Sequence, residues 1–186
     1  DEHDLLLILD EIQCGMGRSG NMFAWQHYGV KPDVMTVAKA LGNGLPVGAF
    51  LACGKAASAM VPGDHGTTYG GNPLVTAGAK AVLDIFEERH IVDHVKEIGA
   101  YLSEKLDGIV EKYDVVKERR GMGLIQGLEF TGPVGPVVSN ALLEQNLVLI
   151  SAGANIIRFV PPLVIGKADV DEMAGRLEAA IEAVCG

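Results

Sequence analysis

At 186 residues, 48% of them hydrophobic, the chain can form one ordinary domain or a large lobe with a smaller one around a substantial core. Its net charge of −9 is interspersed rather than blocked, which leaves no basic stripe for nucleic acid, and no apolar run approaches the ~20 residues needed to span a bilayer. Cys14, Cys53 and Cys185 are odd in number and far apart with no CxxC, so a disulfide framework or a zinc site is not expected; a reducing cytoplasmic setting is, with no signal peptide in view.

Residues 5–10 form an apolar run that closes on Asp10 and breaks into a glycine-rich loop, Gly15-Met16-Gly17-Arg18-Ser19-Gly20. A short helix is expected over residues 23–28, ended by Gly29 and Pro32. Residues 34–38 form a second run that closes on Lys39, and residues 47–53 a third strand candidate. The first two are near-continuous apolar runs, the pattern of strands covered on both faces. The stretch 63–72 is too polar for a strand and too rich in turn formers for a helix.

Asn72 then reads as an N-cap with Pro73 at the first helical position, opening a helix that ends near Glu88. A second, amphipathic helix carries Ile91, Val95, Ile98, Leu102, Leu106, Ile109 and Val110 on one stripe. His90 and His94 stand at helical spacing beside it; with no third ligand in reach they read as a solvated face, and no metal is assigned. Beyond Tyr113 come short strand candidates at 115–116, 124–130, 148–150 and 156–160, interleaved with helices near 134–146 and 169–185, the latter capped by Asp169. That alternation describes an α+β unit with a small sheet covered by helices.

Asp10 and Lys39 are the pair that points to a chemistry. Each ends an apolar run, so both reach the same edge of one sheet, and a carboxylate with a lysine there is what pyridoxal phosphate requires. The lysine holds the cofactor as a Schiff base and the aspartate pairs with the pyridinium nitrogen. On spacing alone a solvated loop lysine is the commoner occurrence, and an acidic strand end serves many ligands in α/β folds. Gln13 reads equally as a loop amide satisfying the local backbone, and Arg158 as an edge-strand arginine in a surface ion pair.

The flanking residues narrow these alternatives. Asp10-Glu11-Ile12-Gln13, Lys39-Ala40-Leu41-Gly42-Asn43-Gly44, His65-Gly66-Thr67-Thr68-Tyr69-Gly70-Gly71-Asn72-Pro73 and Arg158-Phe159-Val160-Pro161-Pro162-Leu163 together resemble the class III aminotransferases over essentially the whole chain. The resemblance implies an α/β fold of the fold-type-I (aspartate aminotransferase-like) pyridoxal phosphate transferases. Residues 1–110 would then be the second half of the large cofactor-binding domain, ending in a connecting helix, and residues 111–186 the C-terminal small domain. It implies Lys39 as the catalytic lysine, Asp10 at the ring nitrogen, Gln13 beside the phenolic oxygen, Thr68 donating to the cofactor phosphate across a homodimer interface, and Arg158 gripping a substrate carboxylate. The activity implied is amino transfer between N-acetylornithine and 2-oxoglutarate, in arginine biosynthesis, with ornithine or succinylornithine as alternative donors. Members of the family carry a comparable length before the first of these motifs, with the phosphate loop and the ring-stacking residue in it. The chain therefore reads as a C-terminal half, and a folded remnant without cofactor is the reading from another class.

Overall fold

The computed structural model describes residues 2–186 and divides into two compact units, the first running to Val92 and the second covering Asp93–Gly186.

The first unit is built on a three-stranded sheet of β1 (Ile8–Asp10), β2 (Val34–Val37) and β3 (Ala49–Ala52) in that spatial order. β1 and β2 are parallel, with Ile8 opposite Val34 and Asp10 opposite Thr36, and β2 and β3 are antiparallel. Parallel pairing sets the C-terminal ends of β1 and β2 on one edge, and the loops that follow carry Asp10 and Lys39. Val34, Met35 and Val37 of the central strand are buried, whereas Ile8 on the flanking strand is 61% exposed and Leu5, Leu6, Phe50 and Leu51 are also open. The expectation of cover on both faces therefore holds for β2 and fails for β1. Among the described residues β1 pairs only with β2 and is the edge of its sheet.

A single 3-10 turn, Ala24–His27, replaces the short helix expected at 23–28, and another, Lys39–Leu41, follows β2. α1 (Gly54–Ala59) was not foreseen; its small residues carry no amphipathic stripe. α2 (Pro73–Glu88) begins as expected, the Asn72 side chain accepting the Leu74 and Val75 amides at 3.1 and 3.3 Å. It braces both loops of the sheet edge, because Phe86 packs against Gly17 and Leu45 against Gly78.

The second unit contains α3 (Ile91–Lys112, from Asp93 onward), β4 (Val116–Met122), β5 (Ile125–Phe130), α4 (Gly135–Leu143), β6 (Ile150–Ser151), β7 (Ile156–Phe159) and α5 (Lys167–Cys185). Its sheet runs β4-β5-β7-β6, every neighbouring pair antiparallel. Val95, Ile98, Leu102, Leu106 and Ile109 of the α3 stripe are buried together with Leu128, Phe130, Ile157 and Phe159 of the sheet and Val170, Leu177 and Ile181 of α5. The strict alternation along β5 turns Gln126, Leu128 and Phe130 inward and Ile125, Gly127 and Glu129 outward. α3 spends its apolar stripe on this core, as part of the second unit.

Three local expectations are revised. β4 runs well beyond Val116 through Lys117, Glu118, Arg119 and Arg120, a charged edge strand whose composition resists unwanted pairing. Asp169 is not the N-cap of α5; it lies inside the first turn, and its Oδ2 accepts the Gly166 amide at 2.7 Å. His90 sits in a left-handed turn (φ 49°) between α2 and α3 rather than on a helix, and His94 Nε2–H donates to the Ile165 carbonyl at 2.8 Å. No helix among the described residues is long and apolar enough to cross a membrane.

Candidate active site

In the first unit, Asp10, Ile12, Gln13, Cys14 and Lys39 line one cavity of about 320 Å³, within the ~300–1,000 Å³ range of small-molecule sites. Asp10 ends β1, and its Oδ1 accepts the Ile12 amide at 2.9 Å and the Thr36 hydroxyl at 3.2 Å. Those two donors fix the plane of the carboxylate and leave it an acceptor toward the cavity. Lys39 stands just beyond β2 with φ at 45°, the left-handed region that is costly for a residue with a Cβ. Its carbonyl accepts the Gly42 and Asn43 amides, each at 3.1 Å, so the turn is closed around it.

Glu11 is a residue the sequence reading did not single out. It is 2% exposed, yet its carboxylate is satisfied: Oε2 accepts the Ala24 amide and Oε1 the Trp25 amide, both at 2.9 Å, and the Cys14 thiol donates to Oε2 at 3.2 Å. The side chain caps the Ala24–His27 turn and so closes the loop that displays Gln13 and Cys14. An acidic residue accepting the N–H groups at the start of a helical turn is a recognisable signal, but here capping residue and turn are far apart in sequence. Burial, reinforced by the Glu11 carboxylate, pushes the Cys14 thiol up to about 11, and so Cys14 contributes a neutral wall rather than a nucleophile.

Thr68 lies outside this cavity, in the exposed segment before α2, where Thr67 Oγ1 accepts the Gly70 amide at 3.1 Å. Arg158 belongs to the second unit, on the outward face of β7, and lines a groove of about 250 Å³ with Arg120, Gly127 and Ile156. The structure thus brings Asp10, Gln13 and Lys39 together on one cavity of the first unit, with Thr68 outside that cavity and Arg158 in the second unit. A larger cavity of about 390 Å³ in the second unit is walled by Leu102, Val148, Phe159, Pro162 and Met173. Arg158 lines this cavity as well as the groove, and the cavity's one acidic group, Asp169, is committed to the start of α5.

The first-unit set fits pyridoxal phosphate on its own chemistry: a fixed carboxylate for the ring nitrogen, an amide beside it and a primary amine for the aldehyde, all on one cavity of suitable size. A family model described as aminotransferase class-III matches residues 1–181. The chain belongs to the class-III aminotransferases. This class-III chain is 47% identical over 185 residues to acetylornithine aminotransferase 1 of Bradyrhizobium diazoefficiens, covering 99% of the chain and 45% of that protein. It is 48% identical to acetylornithine aminotransferase of Clostridium acetobutylicum, covering 98% and 47%. Among solved structures, N-acetylornithine aminotransferase from Stenotrophomonas maltophilia superposes with a TM-score of 0.86 at 40% identity, over 98% of this chain and 48% of that one. An S-selective transaminase from Arthrobacter reaches 0.94 at 27% identity, over 100% and 45%. The fold is therefore that of the pyridoxal-phosphate-dependent transferases, and the chain spans less than half the length of the relatives it matches.

Proposed function

We propose that this chain carries the ring-nitrogen partner, the reactive lysine and the substrate-carboxylate arginine of an aminotransferase acting between N-acetylornithine and 2-oxoglutarate. The observation that carries the reading is the shared cavity of Asp10, Gln13 and Lys39. The relatives named for acetylornithine, at 47% and 48% identity, support that donor over ornithine or succinylornithine. Pyridoxal phosphate supplies an electron sink for the carbon that loses its proton.

Asp10, already oriented by Ile12 and Thr36, keeps a proton on the ring nitrogen through a charge-assisted hydrogen bond. Gln13 orients the ring's oxygen edge. Lys39 would hold the cofactor through its aldehyde, and its amine would be the group that moves a proton to and from the amine-bearing carbon. Thr68 and the backbone amides around it hold the phosphate of a second copy's site, so the working unit is a homodimer. Arg158 binds a substrate carboxylate through its planar fork. The two half-reactions share these residues in turn, giving N-acetylglutamate semialdehyde and glutamate in the cytoplasm as part of arginine biosynthesis. In this reading residues 1–110 belong to the large domain and 111–186 to the small one.

The exposed apolar strand β1 favours a second reading of another class, a folded remnant that binds no cofactor. Visible absorbance separates the two. Mixed with pyridoxal phosphate, the chain is expected to show the coloured band of a lysine-bound cofactor, and Lys39→Ala to remove it. A chain that stays colourless, or colours equally without Lys39, supports the remnant.

A further inference from the structure

Three strands of the second unit align Arg120, Gly127 and Arg158 in one row. Arg120 is opposite Gly127 between β4 and β5, and Gly127 opposite Arg158 between β5 and β7. Directly opposed residues share a face, so two arginines stand about 10 Å apart at their Cα atoms with a bare backbone between them. All three line the same groove. Arg120 is pinned at the far side: its Nε forms an ion pair with Glu118 at 3.1 Å, its Nη2 is paired with Glu129, and Lys117 meets the same Glu129 at 2.9 Å. Its charge is thereby compensated, and it acts as a fixed wall. Arg158 Nε is buried.

Backbone conformation does not explain glycine at position 127. Its φ lies outside the left-handed region, and a Cβ there would sit 3.3 Å from the Ile156 Cγ2 methyl and 3.5 Å from the Ile157 carbonyl oxygen. A small side chain is tolerable, whereas a branched one would fill the space between the arginines. What the glycine supplies is bare backbone beside Arg158, bordered by the Ile156 methyl.

We infer that Gly127 is a specificity-determining position of the Arg158 carboxylate site. Its missing side chain makes room for the substituted carbon next to the carboxylate, admitting 2-oxo and 2-amino acids. The inference rests on the reading of Arg158 as the carboxylate-binding residue. The groove then discriminates by size at the second carbon, with Arg120 limiting how far a ligand extends across the sheet.

The test uses the 186-residue chain and two probes, 2-oxoglutarate and acetate, titrated while amide shifts of β5 and β7 are followed by NMR. Gly127→Val is expected to weaken 2-oxoglutarate about tenfold and leave acetate within about twofold, because only the larger acid needs the room. Gly127→Ala, which demands only a small shift of the Ile156 methyl, is expected to give a smaller loss in the same direction, and it decides the matter if the valine variant does not fold. Arg158→Met is expected to abolish both titrations. Loss of both with Arg158→Met, but unchanged or equally weakened 2-oxoglutarate and acetate in the Gly127 variants, overturns the role of Gly127 and leaves Arg158 standing. Absent binding in the unsubstituted chain, or binding retained in Arg158→Met, overturns the Arg158 reading and this inference with it.

Discussion

Lys39 occupies left-handed backbone at φ 45°, a conformation that costs a residue with a Cβ ~1 kcal/mol or more and persists where the surroundings fix it. The closed turn around its carbonyl and the bracing of Leu45 by α2 are those surroundings. If the strain is held for the sake of the amine, glycine should relieve it. Lys39→Gly is expected to raise unfolding stability by about 1 kcal/mol relative to Lys39→Ala, as read from urea midpoints. A second consequence belongs to Glu11. Burial first, and then its carboxylate, keep the neighbouring thiol protonated, pushing Cys14 from the ordinary 9.0 up to about 11. The folded state binds this proton more tightly than the unfolded chain, so the stability it contributes is intact below pH 9 and is lost as pH rises toward 11. In Glu11→Gln the negative neighbour is gone, and alkylation of Cys14 is expected to speed up and to show its midpoint at lower pH. An unchanged rate profile would detach the thiol from Glu11. The same carboxylate is expected to matter for folding, Glu11→Ala costing about 1–3 kcal/mol through two part-buried amides left without this acceptor.

At the scale of elements, α3 offers a matched pair of glycines. Gly99 touches the β4–β5 turn so closely that a Cβ would lie 2.5 Å from the Gly123 Cα, while at Gly108 nothing lies within 4 Å. Alanine gains about 1 kcal/mol of helix propensity at either place. At Gly108 that gain is expected in full, as a higher melting midpoint. At Gly99 backbone faces backbone and cannot give way, so Gly99→Ala is expected to destabilise by about 1–3 kcal/mol despite the better propensity. The helices were legible because their signals are local: the Asn72-Pro73 start of α2 and the repeating aliphatic stripe of α3 that ends buried as a set. β4 was legible only at Val116, because the charges that protect a sheet edge also erase its apolar pattern. The left-handed turn at His90 breaks what reads as one spacing of two histidines.

For the molecule as a whole, the legible part of the candidate site is the part generated by chain ends of neighbouring strands. Asp10 and Lys39 each close an apolar run, and parallel pairing of β1 with β2 delivers them to one cavity with Gln13. Glu11 escaped notice since its partners, the Ala24 and Trp25 amides, arrive only when the intervening loop closes. Arg120 and Gly127 escaped for a similar reason, since their meaning depends on register across three strands. The central claim is that Lys39 is the amine this fold holds for a cofactor aldehyde, and it is open to direct chemical capture. The chain is incubated with pyridoxal phosphate at low stoichiometry, reduced with borohydride, digested and mapped by mass. The expected result is a pyridoxyl mass on the peptide containing Lys39 in preference to Lys31, Lys55 and Lys80. A label spread evenly over those exposed lysines, or absent from Lys39, would contradict the account.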